Sequence, residues 1–176
     1  KLINLKKNYM KILYLHGLES KLSDVKREAL ENFGQVIAPN MDYYQNPEIY
    51  RMLMELQVEN TFDVVIGSSM GGFMSYQVAN TINCPALLFN PALEQKKVVQ
   101  NLPSLNIANA SSYLQFALGG LDEIVPANEI LKWLAHNRVA TTDYKITLHK
   151  KLEHQITLDV FKLEISEFFR QLNSLK

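Results

Sequence analysis

The sequence has 176 residues and one cysteine, Cys84, so it cannot form a disulfide within the chain. Low cysteine usage is typical of proteins in a reducing compartment, and we therefore expect a cytoplasmic protein. Apolar residues make up 47% of the chain and charged residues 20%. This composition is sufficient for a single compact domain with a packed core and is unlike that of a disordered chain.

An excess of one charge is also missing, because 18 basic residues balance 18 acidic ones. No overall field then favours nucleic acid or an anionic membrane, and we expect a small-molecule partner. No apolar run approaches the roughly 18 residues of a membrane span. The first residues lack a signal-length apolar core, so no targeting segment is predicted. We interpret 10–176 as the domain and 1–9 as an N-terminal extension or a remnant of cloning.

Cofactor motifs are missing as well. The glycines fit neither the G-x-x-x-x-G-K-[ST] pattern of a phosphate-binding loop nor the G-x-G-x-x-G pattern of a dinucleotide site. Four scattered histidines and one cysteine give no set of metal ligands. The sequence therefore predicts a protein with no cofactor and no metal.

What the sequence does contain is a regular alternation of short apolar segments with segments of helical periodicity. Alternation of this kind predicts an α/β domain built on a parallel sheet. Strands are predicted at 11–16, 35–38, 64–66, 86–89, 113–118 and 143–149. Helices are predicted near 24–32, 47–59, 127–137 and 156–172, with a further helix after the third strand. The segment 92–111 has weak periodicity and a central proline, and we interpret it as a helix and loop that form a minimal lid over the strand ends.

The most informative stretch joins the third predicted strand to the following helix. It reads FDVVIGSSMGGFMSYQVANT, and its core fits the pattern G-x-S-x-G. In this pattern a strained turn lifts a serine hydroxyl clear of the sheet, as in a nucleophile elbow. A chance match would not require a buried β-run before the serine and a helix after it, and both are predicted here. Ser69 is therefore the candidate nucleophile, and Met70 would supply one backbone N–H for an oxyanion.

The chain as a whole resembles a small α/β-hydrolase of the YqiA-like bacterial esterases. The resemblance rests on YLHGLES at 14–20, GSSMGG at 67–72, ALGGLDEIVP at 117–126 and the loop around His154. It implies one sheet of about six mostly parallel strands in the order 2-1-3-4-5-6, with helices on both faces. It also implies the chain order nucleophile, acid, histidine, which can be assigned here to Ser69, Asp122 and His154.

Each of these assignments has a competitor in the sequence. A base must lie in a loop at the carboxyl ends of the strands, which favours His154 over His149 at the end of a strand. His136 falls on a predicted helix and is interpreted as a surface residue. Asp122 follows a Gly-Gly turn, and its neighbour Glu123 is the main rival for the acid.

Two further carboxylates, Asp63 and Asp159, are interpreted as solvated or helix-terminal charges. By resemblance, the loop after the first strand supplies the second oxyanion N–H, which we assign to Leu18. His16 would then fix this loop rather than transfer protons. The sequence HGLES differs from the commoner form with an aromatic residue after the glycine.

The resemblance implies a serine esterase that cleaves carboxylic esters through an acyl-enzyme, and the minimal lid predicts a preference for short acyl chains. An acyltransferase or a thioesterase on the same scaffold is an alternative in the same class. A binding module that kept the fold and lost turnover is an alternative in another class.

Overall fold

The computed structural model describes residues 9–94, 98–104 and 110–174, so residues 1–8 of the predicted extension at 1–9 lie outside them. The described residues form five helices and one sheet of six strands. The strands are β1 (Met10–Leu15), β2 (Gly34–Ile37), β3 (Val64–Ser68), β4 (Ala86–Phe89), β5 (Tyr113–Gly119) and β6 (Asp143–His149). The helices are α1 (Asp24–Glu31), α2 (Ile49–Asn60), α3 (Met70–Ile82), α4 (Ala127–Asn137) and α5 (Leu158–Ser174).

The strand order is β2-β1-β3-β4-β5-β6, and every neighbouring pair is parallel. The predicted fold and strand order are therefore confirmed. Leu15 at the end of β1 pairs with Gly67, and Ser68 at the end of β3 pairs with Phe89 at the end of β4. This register brings the loops after β1, β3 and β4 to one edge of the sheet, where ligands bind in open α/β sheets.

Both faces of the sheet are covered, which explains the uninterrupted apolar runs at 64–66 in β3 and along β4. Along β3, Val65 packs into one core layer, and Val64 and Ile66 pack into the other. Helices α2, α3 and α4 cover the first face, and α1 and α5 cover the second. Phe161 of α5 stacks on Phe89 of β4 at 5.3 Å between ring centroids, and burying such a side chain stabilises the fold by roughly 1.5–3 kcal/mol.

Two local predictions differ from the structure. The second strand, predicted at 35–38, begins one residue earlier at Gly34, and α1 ends at Glu31. The described residues of 92–111 contain no helix or strand, although a helix was expected there. Pro103 lacks the N–H that a helix needs, and 95–97 and 105–109 lie outside the described residues. Within the described part of the chain, no helix is long and apolar enough to cross a bilayer.

Candidate active site

Ser69 lies at the sharp turn between β3 and α3, with φ 55° and ψ −119°. A non-glycine residue in this region costs about 1–3 kcal/mol and persists only where its surroundings enforce it. Three backbone hydrogen bonds do so here. The Ser69 N–H donates to the Phe89 carbonyl at 2.9 Å, and the Ser69 carbonyl accepts from Phe73 N–H and Ala92 N–H, each at 3.0 Å. The strained turn is therefore fixed by β4, by α3 and by the segment after β4.

Close packing between α3 and the end of β1 requires a glycine two positions after the serine. A Cβ on Gly71 would overlap the carbonyl oxygens of Leu15 and His16. Because this position has no side chain, the start of α3 can lie directly against the backbone of the loop after β1. The loop that carries Leu18 and the residue Met70 are thereby brought to the same side of Ser69.

The three residues assigned to nucleophile, base and acid lie in one hydrogen-bonded chain. His154 Nε2 is 3.0 Å from Ser69 Oγ, and His154 Nδ1 is 2.8 Å from Asp122 Oδ2. A carboxylate can only accept, so Nδ1 carries the proton and Nε2 is the acceptor that faces the serine hydroxyl. The structure thus brings Ser69, His154 and Asp122 together in the arrangement that activates a serine.

Asp122 is buried, and its carboxylate is fully used. Oδ1 accepts from the backbone N–H groups of Ile124 at 2.9 Å and Val125 at 2.8 Å, while Oδ2 accepts from His154. The two backbone bonds come from the turn that follows β5, so they fix the rotamer of Asp122. The carboxylate can therefore hold the imidazole of His154 in one orientation.

The competing residues lie elsewhere. Glu123 is exposed, and it is the neighbouring Asp122 that reaches His154. His149 Nε2 bonds Glu164 Oε1 at 2.7 Å on the α5 side of the sheet. His136 is exposed on α4 and bonds a backbone carbonyl of its own helix.

The two remaining carboxylates are also away from His154. Asp63 accepts from the backbone N–H of Lys11 at 2.7 Å. Asp159 is exposed in the first turn of α5.

His16 is buried, and both of its ring nitrogens are occupied. Its Nδ1–H donates to the Gly17 carbonyl at 2.7 Å, and its Nε2 accepts from the Met41 N–H at 2.9 Å. The Tyr43 hydroxyl donates to the His16 carbonyl at 3.0 Å. His16 therefore fixes the loop after β1 and has no nitrogen left for proton transfer.

A pocket of about 470 Å³ opens beside Ser69 and His154. Leu18 and Met70, the residues expected to donate to an oxyanion, both line it. Met70 is the first residue of α3, where N–H groups have no acceptor within the helix. The pocket is also lined by Ala92 from the segment after β4. Among the described residues, no group of three or more histidine, cysteine or acidic side chains is placed to hold a metal ion.

Asn90, which was not predicted from the sequence, joins the end of β5 to the loop that carries His154. Its amide donates to the carbonyls of Glu153 and His154, each at 3.2 Å, and its Oδ1 accepts from Gly119 N–H at 2.7 Å. Asn90 is fully buried and has φ 41°. Asparagine tolerates such a backbone better than most residues, so an Asn-Pro pair directly after an apolar strand was the available signal.

The architecture is that of the α/β-hydrolase fold, as comparison with solved structures shows. Alpha/beta hydrolase domain-containing protein 10 from mouse superposes with a TM-score of 0.71 at 14% identity, covering 94% of this chain and 90% of the mouse chain. Est1E from Butyrivibrio proteoclasticus gives 0.70 at 13% identity, covering 98% and 91%. SOBER1 from Arabidopsis thaliana gives 0.66 at 14% identity, covering 93% and 99%.

The chain belongs to the uncharacterised protein family UPF0227, whose model matches residues 11–105. The match spans β1 to β4 and includes Leu18, Ser69 and Met70, while Asp122 and His154 follow it in the chain. No curated protein sequence matches the chain significantly.

Proposed function

We propose that the protein is a serine hydrolase that cleaves carboxylic esters of short acyl chains. The observation that carries the proposal is the continuous hydrogen-bonded chain from Asp122 through His154 to Ser69 Oγ, at the mouth of a pocket. Est1E, SOBER1 and the mouse protein share the fold. The mouse protein is named as an alpha/beta hydrolase domain-containing protein. These likenesses support the scaffold, and the site supports the chemistry.

The first half of the reaction forms an acyl-enzyme. Ser69 Oγ attacks the ester carbonyl carbon as its proton passes to His154 Nε2, and the carbonyl oxygen becomes an alkoxide. Asp122 stabilises the resulting imidazolium through Nδ1–H. The alkoxide collapses, the bond to the alcohol oxygen breaks, and the leaving alcohol takes the proton from Nε2.

The second half returns the free enzyme. A water molecule gives its proton to His154 Nε2 and attacks the acyl carbon. Collapse of this second alkoxide releases the acid and returns the proton to Ser69 Oγ. In both halves we assign the oxyanion to the N–H groups of Leu18 and Met70, because both residues line the pocket beside Ser69. Losing one such donor typically slows a hydrolase by about 10²–10³-fold.

The same site could pass the acyl group to an alcohol or thiol, or accept a thioester. A specific observation favours hydrolysis of a small ester: Ser69 is partly exposed and lines the pocket, so water can reach the acyl-enzyme. A binding module of the same fold would need no histidine in contact with the serine, and here His154 Nε2 lies 3.0 Å from Ser69 Oγ.

Intact-mass spectrometry after exposure to a fluorophosphonate tests the proposal directly. We expect one adduct on the wild-type protein and none on Ser69→Ala, which should also lose ester hydrolysis. Ser68→Ala is the matched control, since Ser68 is adjacent in the chain and lines the same pocket, and it should keep the adduct. An adduct that persists in Ser69→Ala, or a wild-type protein that neither reacts nor turns over esters, would contradict the proposal.

A further inference from the structure

The pocket beside Ser69 contains a lysine that has no carboxylate partner among the described residues. Lys26 lies in the first turn of α1 and lines the pocket. Its Nζ donates to the Ile156 carbonyl at 2.7 Å and lies 5.3 Å from the centroid of the Phe161 ring. An ammonium has three N–H donors, so two remain for a ligand. Partial burial lowers the pKa of Lys26, as expected for a cation that lacks a counterion.

A tyrosine also lines the same pocket. Tyr14 on β1 is 5% exposed and lines the pocket, and its hydroxyl makes no hydrogen bond with the described residues. Burial raises the pKa of Tyr14 to about 12, so the hydroxyl keeps its proton at neutral pH. A hydroxyl without a partner among the described residues is free to donate to a substrate group that enters the pocket.

Lys26 and Tyr14 line the same pocket and contact the same aromatic ring. The Tyr14 ring packs edge-on against Phe161 with centroids 6.2 Å apart, and Lys26 Nζ lies over the same ring. The lysine also bonds the carbonyl of Ile156, which follows His154 by two positions. The two donors therefore share a pocket with the nucleophile and border the loop that carries the base.

The other charges around the pocket do not neutralise this pair. Among the described residues, the remaining charged side chains that line it are Glu19 and Lys21, one of each sign. Both are exposed, so solvent screens them more strongly than it screens the half-buried Lys26. A ligand group held by Lys26 and Tyr14 would meet an ammonium and a hydroxyl that can donate, which favours an anionic acceptor.

We propose that Lys26 and Tyr14 form an anion subsite that binds a carboxylate carried by the ester substrate. The proposal rests on the proposed esterase activity and narrows its substrate class to short esters with an acidic group. Lys26 supplies the charge, and Tyr14 supplies a neutral hydrogen bond that fixes the orientation of the carboxylate.

Two matched ester pairs test the subsite. One places the charge on the alcohol part (4-acetoxybenzoate against 4-acetoxybenzamide), and the other places it on the acyl part (monoethyl adipate against its terminal amide). In at least one of the two pairs, we expect kcat/KM of the wild-type enzyme to be higher for the carboxylate-bearing ester than for the amide-bearing ester by about tenfold or more. That ratio should fall by about tenfold in Lys26→Met, which keeps the contact with Phe161, and by about threefold in Tyr14→Phe.

The controls are a charge-preserving variant and a lysine on another helix. Lys26→Arg should keep most of the preference, and Lys132→Met, exposed on α4, should leave the ratio unchanged. The subsite would be wrong if neither pair shows a preference, or if Lys26→Met leaves the preference intact.

Calorimetric titration of both carboxylate esters into Ser69→Ala, with and without Lys26→Met, separates this proposal from the proposed function. A wild-type enzyme that hydrolyses the amide-bearing esters as well as the carboxylate-bearing esters would overturn the subsite and leave the esterase assignment standing. A wild-type protein that hydrolyses none of the four compounds, while Ser69→Ala binds a carboxylate only when Lys26 is present, would overturn the esterase assignment and support the subsite. Absence of binding together with absence of turnover overturns both.

Discussion

Two histidines that lie five positions apart in the chain each bond a carboxylate. His149 is the last residue of β6, and His154 lies in the loop that follows. His154 bonds Asp122 at 2.8 Å, and His149 bonds Glu164 at 2.7 Å. The two bonds are almost equal in length, and both carboxylates are buried. The pairs differ in what surrounds them, because His154 faces Ser69 whereas His149 faces α5.

This difference shows what a histidine–carboxylate bond can and cannot indicate. The bond fixes the orientation of the ring and the position of one proton. A base also needs an acceptor nitrogen directed at a nucleophile, and only His154 has one within the described residues. Glu164 also accepts from Gln115 at 2.6 Å, so the second pair belongs to a buried network that joins β5, β6 and α5.

Exchanging each histidine for glutamine should separate the two pairs most strongly. His154→Gln removes the acceptor for the serine proton, and we expect kcat to fall by roughly 10³-fold or more with the melting temperature almost unchanged. His149→Gln should keep most of kcat and the acidic limb of the pH–rate profile, which reports protonation of the base. It should instead lower the free energy of unfolding by about 1–3 kcal/mol, because Glu164 loses a partner.

Steady-state kinetics and thermal unfolding of both variants check this prediction. An inactive His149→Gln beside an active His154→Gln would reverse the assignment of the base.

Exchanging the carboxylates tests the other half of each pair. In Asp122→Asn the Oδ1 contacts to Ile124 and Val125 can persist, but the amide would donate toward Nδ1 and favour the tautomer with its proton on Nε2. We expect kcat to fall by roughly 10²–10⁴-fold. Glu123→Gln, one position along the chain and exposed, should stay within about twofold of wild type in the same kinetic assay. A comparable loss in both variants would mean that the acid has been misassigned.

A change at Asn90 can loosen the His154–Asp122 pair without removing either residue. Asn90→Ala removes the bonds to the loop of His154 and to Gly119 N–H, so this loop is no longer bonded through Asn90 to the end of β5. We expect kcat to fall by about 10–100-fold with KM little changed, since misplacement by about 1 Å is sufficient for such a loss.

Asn90→Gly is the matched variant, because glycine accepts the positive φ of this position. Equal kinetic losses in Asn90→Ala and Asn90→Gly would assign the effect to the amide. Recovery of kcat in Asn90→Gly would assign it to backbone strain instead.

The smallest effect concerns the length of the acyl chain. Each buried methylene contributes at most about 0.8 kcal/mol, or roughly fourfold in kcat/KM. Leu93, Val98 and Leu102 of the predicted lid pack against the core on the face of α2 and α3 and do not line the pocket, and Leu105 lies outside the described residues. We therefore expect kcat/KM for p-nitrophenyl esters of two to sixteen carbons to level off by about hexanoyl. A maximum at twelve carbons or longer would contradict the open-pocket interpretation.

The sequence predicts those parts of the site that have a local signature. The turn at Ser69 needs glycines at fixed spacing between an apolar strand and a helix, so its pattern lies within a few residues. The preference for His154 over His149 followed from the position of the strand end, which the alternation along β6 marks. Strand order required the family resemblance, because apolar runs do not state which strands are neighbours.

The parts that the sequence did not predict depend on contacts between distant residues. Asn90 bonds carbonyls more than sixty positions later, and Lys26 bonds the carbonyl of Ile156, 130 positions away. Such bonds leave no periodicity and no fixed spacing. The helix expected within 92–111 rested on weak periodicity alone, and Pro103 and the packing of Leu93 into the core outweigh it.

Under the proposed function, the backbone of Ser69 means that the protein gives up stability for reactivity. Its φ and ψ correspond to a turn position that glycine occupies without strain, yet glycine has no hydroxyl. Replacing Ser69 by glycine should therefore relieve about 1–3 kcal/mol of strain, less the cost of the added freedom in the unfolded chain, roughly 0.5–1 kcal/mol. We expect an inactive protein that melts at a higher temperature than the active one, so that selection for folding alone would remove the residue on which the reaction depends.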